Sequence, residues 1–333
     1  MAEVHHRTAT VSGQRVFYRE AGPADAPVVL LLHGFPTSSR MFRHLIPALA
    51  DHYHVIAPDH IGFGQSATPP PTEFDYTFDG LTDITRGLLD QLGVNRFAMY
   101  VQDYGAPIGW RLALRNPMAV QAIISQSGNA YEDGFVDSFW SALWAYAQAP
   151  GEDTEGPLRG ALTLDAIRWQ YLTGVPEPEL VDPDTWIADH AEVNRPGNDE
   201  IQLALFRDYA TNPPLYPAVH GYFRASQVPL LAIWGKGDEI FGPAGATAFA
   251  RDLPNAEIHL LDGGHFLLES ALDTATAYIR SFLGRTVGPM RGHSPERPAA
   301  AQPLDLKQTS GRTLASTRTT RHTPRAGGPG RSL

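Results

Sequence analysis

The chain has 333 residues, of which 43% are hydrophobic and 10% aromatic, as expected for a globular protein with one large core and room for an insertion. It contains no cysteine, which excludes disulfides, a thiol nucleophile and thiolate metal sites, and its net charge of −10 disfavours nucleic-acid binding. The N-terminal stretch has no apolar signal segment, and no run of about 18 apolar residues occurs, so we expect a cytoplasmic protein that does not enter a membrane.

The charge is distributed unevenly along the chain. Residues 286–333 carry eight Lys/Arg and two Asp/Glu, a net +6, whereas residues 1–285 carry 18 and 34, a net −16. The C-terminal segment is rich in Pro, Gly, Ser, Thr and Arg and has few large apolar residues, so it cannot bury enough surface to become ordered. We predict a disordered basic tail over 286–333, which is either a dispensable extension or an arm for an acidic partner.

The first part of the chain alternates between predicted strands and helices. Period-two and continuous apolar runs predict a β-hairpin over 8–20 that turns at Ser12-Gly13, and strands over 28–32, 54–57, 97–101 and 122–125. Helical patterns lie between them, over 42–50, over 78–92 and from Pro107 onward. This alternation predicts an α/β fold with a mostly parallel, doubly wound sheet.

The alternation is interrupted between residues 131 and 222. This stretch has no convincing buried strand and consists of aromatic-rich, helix-like segments separated by Pro and Gly. Strand patterns resume over 229–234 and 256–261, with helices over 245–252 and 270–283. The sequence therefore predicts a sheet domain made of residues 1–130 and 223–285, with a helical cap, residues 131–222, inserted into it.

Three polar residues directly follow predicted strands: Asp103, Asp238 and His265. Asp103 occupies a tight strand-to-helix turn, and the residues two and three positions after it, Gly105 and Ala106, are small. Such a turn exposes a side chain beside a helix N-terminus. Singly, Asp103 could be a helix cap and the other two could be loop residues. Ligands of open parallel sheets bind at the carboxyl ends of the strands, so these three side chains can converge there. Their order along the chain, nucleophile, acid and histidine, is that of an α/β-hydrolase catalytic triad, and we predict such a triad.

Five stretches resemble a known family: HGFPTSS (33–39), APDHIGFGQS (57–66), VQDYGA (101–106), WGKGDEIF (234–241) and DGGHF (262–266). They are similar to the α/β-hydrolase branch with an aspartate nucleophile, which includes epoxide hydrolases, haloalkane dehalogenases and fluoroacetate dehalogenases. The resemblance covers roughly residues 8–285 and is weak in the cap. It implies that Asp103 is the nucleophile, His265 the general base and Asp238 its partner, with the backbone N–H groups of Phe35 and Tyr104 as the oxyanion hole.

The resemblance implies hydrolysis through a covalent ester, without cofactor or metal. An ionised Asp103 attacks an sp³ carbon, and a water activated by His265 then cleaves the ester. No Gly-x-Ser-x-Gly motif occurs, which disfavours a serine esterase. The expected partners are a small apolar electrophile and water, and the expected assembly is a monomer or a homodimer.

The cap aromatics leave the substrate open. Epoxide hydrolases of this family protonate the opening oxygen with two cap tyrosines, for which Tyr209, with Tyr146 or Tyr171, is a candidate. Dehalogenases hold the halide with N–H donors, which Trp140 or Trp144 could supply. Each of these five residues could instead only pack the interface between cap and core.

Residues beside the nucleophile favour epoxides slightly. Tyr104 and Phe35 stand where dehalogenases commonly have Trp and Asn, although VQD and PTSS look more like the dehalogenases. We predict epoxide hydrolysis to a diol, with haloalkane dehalogenation as the alternative. A haloacid dehalogenase, which would carry Arg at position 104, and a non-catalytic small-molecule receptor are less favoured.

Overall fold

A computed structural model of the chain describes residues 2–288. Residues 289–333, most of the predicted basic tail, lie outside the described residues. The described part belongs to one compact unit, so the predicted cap and sheet domain are not separate bodies. Among residues 2–288, no helix combines the length and the apolar character needed to cross a membrane.

Within the described residues, eight strands form one sheet in the order β1-β2-β4-β3-β5-β6-β7-β8. Their bounds are β1 Val4–Val11, β2 Gln14–Ala21, β3 Val28–Leu32, β4 His54–Pro58, β5 Phe97–Gln102, β6 Val120–Gln126, β7 Leu230–Gly235 and β8 Glu257–Leu261. The β1-β2 hairpin is antiparallel and joins β4 in antiparallel register, while β3 to β8 run parallel. The predicted doubly wound, mostly parallel sheet is confirmed.

Twelve α-helices accompany the described strands. Their bounds are α1 Leu45–Leu49, α2 Phe78–Gln91, α3 Gly105–Arg115, α4 Asp137–Gln148, α5 Glu152–Gly160, α6 Leu164–Leu172, α7 Asp184–Val193, α8 Asn198–Asp208, α9 Tyr216–Ser226, α10 Pro243–Ala248, α11 Leu267–Ser270 and α12 Leu272–Thr286. Short 3₁₀ helices cover Ser39–Phe42, Glu132–Gly134, Pro178–Leu180, Tyr209–Thr211, Pro213–Leu215 and Phe249–Arg251.

Several element ends differ from the sequence-based expectation. The helix that follows Asp103 begins at Gly105 rather than Pro107, because proline is tolerated in the first turn, where its missing N–H has no partner to lose. The predicted helix over 42–50 is a 3₁₀ turn followed by the short α1. The predicted last helix is two helices, α11 and α12, which meet at Ala271.

The residues between β6 and β7 form helices α4 to α9, as the aromatic-rich pattern predicts. Helix α9 continues to Ser226, past the predicted cap boundary at 222. Contacts between cap and core include the indole N–H of Trp140, which donates to the Ile240 carbonyl at 2.7 Å, and the Phe206 ring, which meets the Phe35 ring edge-on at 5.2 Å. These helices therefore contact the loops that follow β7 and β3, at the carboxyl ends of those strands.

Candidate active site

The turn between β5 and α3 presents Asp103 in a left-handed conformation, with φ of 47°. A Cβ added at Gly105 would lie 2.1 Å from the Leu32 carbonyl oxygen, which explains why a residue without a side chain is needed there. On the other side, a Cβ at Gly34 would lie 2.3 Å from the Asp103 Cβ. The nucleophile candidate is thus held in a strained conformation between two close backbone approaches, as in a nucleophile elbow.

The two predicted oxyanion-hole donors converge on one oxygen of Asp103. The Phe35 N–H donates to Asp103 Oδ1 at 2.7 Å, and the Tyr104 N–H donates to the same atom at 2.6 Å. Neither amide contacts Oδ2, so that oxygen can approach a substrate while Oδ1 remains bound. This arrangement suits an ester intermediate whose carbonyl oxygen lies in the hole.

A pair of buried histidines supports the loop that carries Phe35. The His60 N–H donates to His33 Nε2 at 3.0 Å, and the two imidazole rings are 4.1 Å apart. Burial lowers the pKa of His33 to about 4, and it lowers the pKa of His60 as well. Both rings are therefore neutral at physiological pH and serve as hydrogen-bonding supports of the loop rather than as charges.

His265 and Asp238 are brought together at the neighbouring strand ends. His265 Nδ1 lies 3.1 Å from Asp238 Oδ2. The other oxygen of Asp238 accepts from the backbone N–H groups of Ile240 and Phe241, at 2.9 and 3.0 Å. These contacts fix the carboxylate so that it orients the imidazole and selects the tautomer with the proton on Nδ1.

Sequence reasoning missed two residues in this cluster. The Ser127 hydroxyl donates to Asp238 Oδ2 at 2.7 Å from a left-handed position, with φ of 51°, immediately after β6. The Gln102 side chain, at the end of β5, places its Nε2 2.8 Å from His265 Nε2. Their position in the sequence could have indicated them. Gln102 ends a parallel strand and Ser127 follows one, so both lie at the edge of the sheet where Asp103 and His265 also lie.

The environment changes the pKa of the nucleophile candidate and that of the histidine. Burial raises the pKa of Asp103 to about 6, although His265 and the two backbone N–H donors lower it. Burial also acts to lower the pKa of His265, but the charge and hydrogen bond of Asp238, together with the charge of Asp103, outweigh it and raise the pKa. At neutral pH Asp103 is therefore still mostly ionised.

The predicted substrate aromatics differ in their surroundings. Tyr209 is buried and packs against Trp140 at 4.6 Å and Tyr104 at 5.8 Å between ring centroids. Burial raises the pKa of Tyr209 well above its usual value, and the charges of Tyr216 and Asp103 contribute to the rise. Trp144 is half-buried, with its ring 6.3 Å from that of Tyr209.

Two further tyrosine candidates have other surroundings. Burial raises the pKa of Tyr146, and the charged cap residues Glu155, Arg207, Glu200 and Arg159 also influence it. The Tyr171 ring stacks on Phe266 at 4.0 Å, and its hydroxyl donates to Asp189. Its proton is thereby already engaged.

Tyr216 is a tyrosine that sequence reasoning did not select. It is buried, its ring stacks on Phe135, and its hydroxyl and that of Tyr209 influence each other's pKa. Burial raises the pKa of Tyr216 above its usual value. Tyr209 and Tyr216 are thus a further pair of neighbouring buried tyrosines, beside the predicted pairing of Tyr209 with Tyr146 or Tyr171.

Within 2–288, no group of three or more His, Cys, Asp or Glu side chains is arranged to hold a metal ion. The side chains of the site supply a buried carboxylate, an imidazole with its acid partner and neutral hydroxyl donors.

Known proteins are similar to this chain over most of its length. Residues 27–154 match the α/β-hydrolase fold family. An uncharacterized hydrolase of Saccharomyces cerevisiae is 44% identical over 268 residues, which cover 80% of this chain and 92% of that protein. A haloalkane dehalogenase of Bradyrhizobium diazoefficiens is 40% identical over 315 residues, covering 86% of this chain and 95% of the dehalogenase.

An epoxide hydrolase A of Mycobacterium tuberculosis is 38% identical over 319 residues, covering 83% of this chain and 96% of the epoxide hydrolase. The resemblance inferred from the five motifs and the predicted fold class are confirmed by these similarities and by the sheet order. The similar proteins are hydrolases of small molecules and differ in substrate. The chain belongs to the α/β-hydrolase family.

Proposed function

We propose that the protein hydrolyses epoxides to diols through a covalent ester on Asp103. The observation that carries this proposal is the carboxylate of Asp103 at the elbow, with Oδ1 held by the Phe35 and Tyr104 N–H groups at 2.7 and 2.6 Å. A catalytic serine or cysteine is not available at this position. A buried carboxylate with one oxygen free is suited to attack an sp³ carbon.

In the first step, Oδ2 of Asp103 attacks a ring carbon of the epoxide. A carbon–oxygen bond of the ring breaks, and the oxygen takes a proton from the hydroxyl of Tyr209. Because the pKa of Tyr209 is raised by burial and by the charge of Asp103, this hydroxyl is protonated at any working pH and can donate. The products of the step are the hydroxyalkyl ester of Asp103 and the phenolate of Tyr209.

In the second step, His265 takes a proton from water through Nε2, and the resulting hydroxide adds to the ester carbonyl carbon. The Phe35 and Tyr104 N–H groups stabilise the negative charge that develops on Oδ1. Collapse of the adduct breaks the bond between the carboxyl carbon of Asp103 and Oδ2. Oδ2 leaves on the substrate carbon as an alkoxide, and the oxygen from water remains in the Asp103 carboxyl group. The proton on His265 and the proton of the new carboxyl group return to the leaving alkoxide and to the Tyr209 phenolate, so the enzyme is regenerated.

The surroundings of the cap aromatics favour an epoxide over an alkyl halide. The Trp140 indole N–H, which could have held a halide, donates to the Ile240 carbonyl at 2.7 Å and is therefore engaged. Phe35 and Tyr104, whose backbone N–H groups bind Asp103, carry no side-chain N–H. The hydroxyl of Tyr209, whose ring packs against that of Tyr104 next to Asp103, is our candidate for the proton donor that an opening epoxide needs.

Haloalkane dehalogenation is the second candidate function. A dehalogenase is 40% identical over most of both chains, and the half-buried Trp144 lies beside Tyr209 with an indole N–H that has no described partner. A halide would need that donor together with a second one, since weak N–H donors usually act in pairs. The cytoplasmic location and the monomer or homodimer stay predictions.

The first test uses His265→Gln enzyme, which should form the ester but not cleave it. The variant is incubated separately with a styrene-oxide-type epoxide and with a 1-bromoalkane, and the peptide that contains Asp103 is weighed. We expect an adduct from the epoxide alone. An adduct from the bromoalkane, with bromide released, would favour the dehalogenase, and a peptide unmodified by either would contradict the Asp103 mechanism.

The second test separates the tyrosines. Tyr209→Phe removes the proton donor but keeps the ring, so ester formation from the epoxide should slow by about 10²-fold or more, the usual contribution of general acid catalysis. The matched control is Tyr146→Phe, whose hydroxyl lies among Glu155, Arg207 and other charged cap residues, and it should keep the wild-type rate. Equal rates for the two variants would exclude Tyr209 as the donor.

A further inference from the structure

Gln102 contacts the atom of His265 that carries out the proposed base chemistry. Its side chain is fully buried at the end of β5, and its Nε2 lies 2.8 Å from His265 Nε2. The opposite nitrogen, Nδ1, faces Asp238 at 3.1 Å, so neutral His265 keeps its proton on Nδ1 and a lone pair on Nε2. The amide N–H of Gln102 is thus donated to the lone pair that must later accept a proton from water.

The other end of the same amide is without a partner. Gln102 Oε1 is buried and accepts no hydrogen bond from any described residue. This oxygen lies beside Asp103. A Cβ added at Gly34 would be 2.6 Å from Gln102 Oε1 and 2.5 Å from Asp103 Oδ1, so both oxygens border the same small space. A buried carbonyl oxygen that lacks a donor is costly unless a ligand or water supplies one.

The charged groups that face His265 are both acidic. They are Asp238, in hydrogen-bond contact, and the nucleophile Asp103, and each favours the protonated imidazolium. The polar side chains Gln102, Gln126 and Ser127 at the neighbouring strand ends are neutral, and Gln126 donates to the backbone carbonyl of His265 rather than to its ring. A hydrogen bond donated to Nε2 stabilises the neutral ring, so Gln102 opposes the two carboxylates.

On these grounds we infer that Gln102 is a positioning residue for the ester-hydrolysis half of the reaction. It holds the His265 ring against Asp238 with Nε2 unprotonated, and its free Oε1 accepts a hydrogen from the water that enters between His265 and the ester. The inference rests on the proposed function for its chemistry. It assigns to Gln102 no part in ester formation, which needs only Asp103 and a proton donor.

The test compares Gln102→Met, which keeps the length of the side chain without its hydrogen bonds, with Gln102→Glu, which can only accept and adds a charge. Gln91→Met is the control, since Gln91 is an exposed residue of α2 whose amide donates to the Thr10 carbonyl. Ring-nitrogen NMR of His265 is recorded across pH on substrate-free enzyme. Loss of one donated hydrogen bond should raise the pKa of His265 by about 0.5 to 1, and more in Gln102→Glu.

Single-turnover kinetics with the epoxide then measure the two half-reactions separately, because the mass of the protein shows when the ester on Asp103 forms and when it is hydrolysed. In Gln102→Met, ester formation should stay within about twofold of wild type, whereas ester hydrolysis should slow by about tenfold, with its acid limb moved to higher pH. An unchanged His265 titration with normal hydrolysis, or equal slowing of both steps, would overturn the inference.

The two proposals fail in distinguishable ways. If wild-type enzyme formed no ester with the epoxide, the proposed function would be wrong, and the substrate-free titration would still decide whether Gln102 controls His265. If the ester formed and broke down normally in Gln102→Met, the function would stand and the role of Gln102 would not.

Discussion

Replacing Gly34 by alanine tests the contact between the oxyanion loop and the nucleophile. The added Cβ would lie 2.3 Å from the Asp103 Cβ and 2.5 Å from its Oδ1, whereas carbon atoms in contact are about 3.5–4.0 Å apart. The Asp103 Cβ is fixed by its backbone, so a rotamer change cannot relieve the overlap. The loop or the elbow must therefore move by about 1 Å.

The Phe35 and Tyr104 N–H groups donate to Asp103 Oδ1 at 2.7 and 2.6 Å. A movement of about 1 Å breaks these hydrogen bonds, because a donor and an acceptor about 3.6 Å apart are no longer hydrogen-bonded. Losing an oxyanion-hole donor costs about 10²–10³ in rate. Overpacking should also reduce the free energy of unfolding by about 1–3 kcal/mol.

The assay measures ester formation, ester hydrolysis and the melting temperature of Gly34→Ala. Gly221→Ala is the matched control, since a Cβ added at Gly221, in helix α9, would meet no atom within 4 Å. That control should keep its rates and gain about 0.5–1 kcal/mol of stability. Wild-type rates and melting temperature in Gly34→Ala would refute the described packing of the loop on Asp103.

Two predictions follow from pKa shifts. Only ionised Asp103 attacks, and its pKa is raised to about 6, so ester formation should fall about tenfold per pH unit below 6 and level off above 7; a rate independent of pH between 5 and 8 would contradict this. Burial raises the pKa of Asp189 to about 8, against about 3.9 in the unfolded chain. The unfolded chain therefore loses this proton first, and stability falls between pH ~4 and ~8. Asp189→Asn avoids that loss, so its gain in melting temperature over wild type should grow from pH 5 to 8, and a constant difference would exclude a raised pKa.

The elements around the nucleophile could be predicted from the sequence because their causes are local. Continuous apolar runs such as Val28–Leu32 define strands buried on both faces, and a strand followed by an acid and Gly105 defines a tight turn. The order of Asp103, Asp238 and His265 behind parallel strands then indicates one edge of the sheet. Chain order and strand direction fix these features before any packing is known.

The cap aromatics could not be assigned in this way. A helical pattern tells which face of a helix is buried, but not which neighbour it meets. Only the packed structure reveals that Trp140 donates its N–H to Ile240, that Tyr146 lies among charged residues, and that Tyr216 accompanies Tyr209.

Hydrogen bonds between segments distant in the sequence also could not be predicted from it. Ser127 and Asp238 are 111 positions apart, and Gln102 and His265 are 163 apart, yet each pair is within hydrogen-bond distance. By itself, the sequence determined the sheet, the elbow and the candidate residues for nucleophilic and basic chemistry, because these follow from side-chain type and local periodicity. The tertiary structure alone decided which hydroxyls and amides are free to act, because a hydrogen bond depends on the partner that folding brings within 3 Å or so.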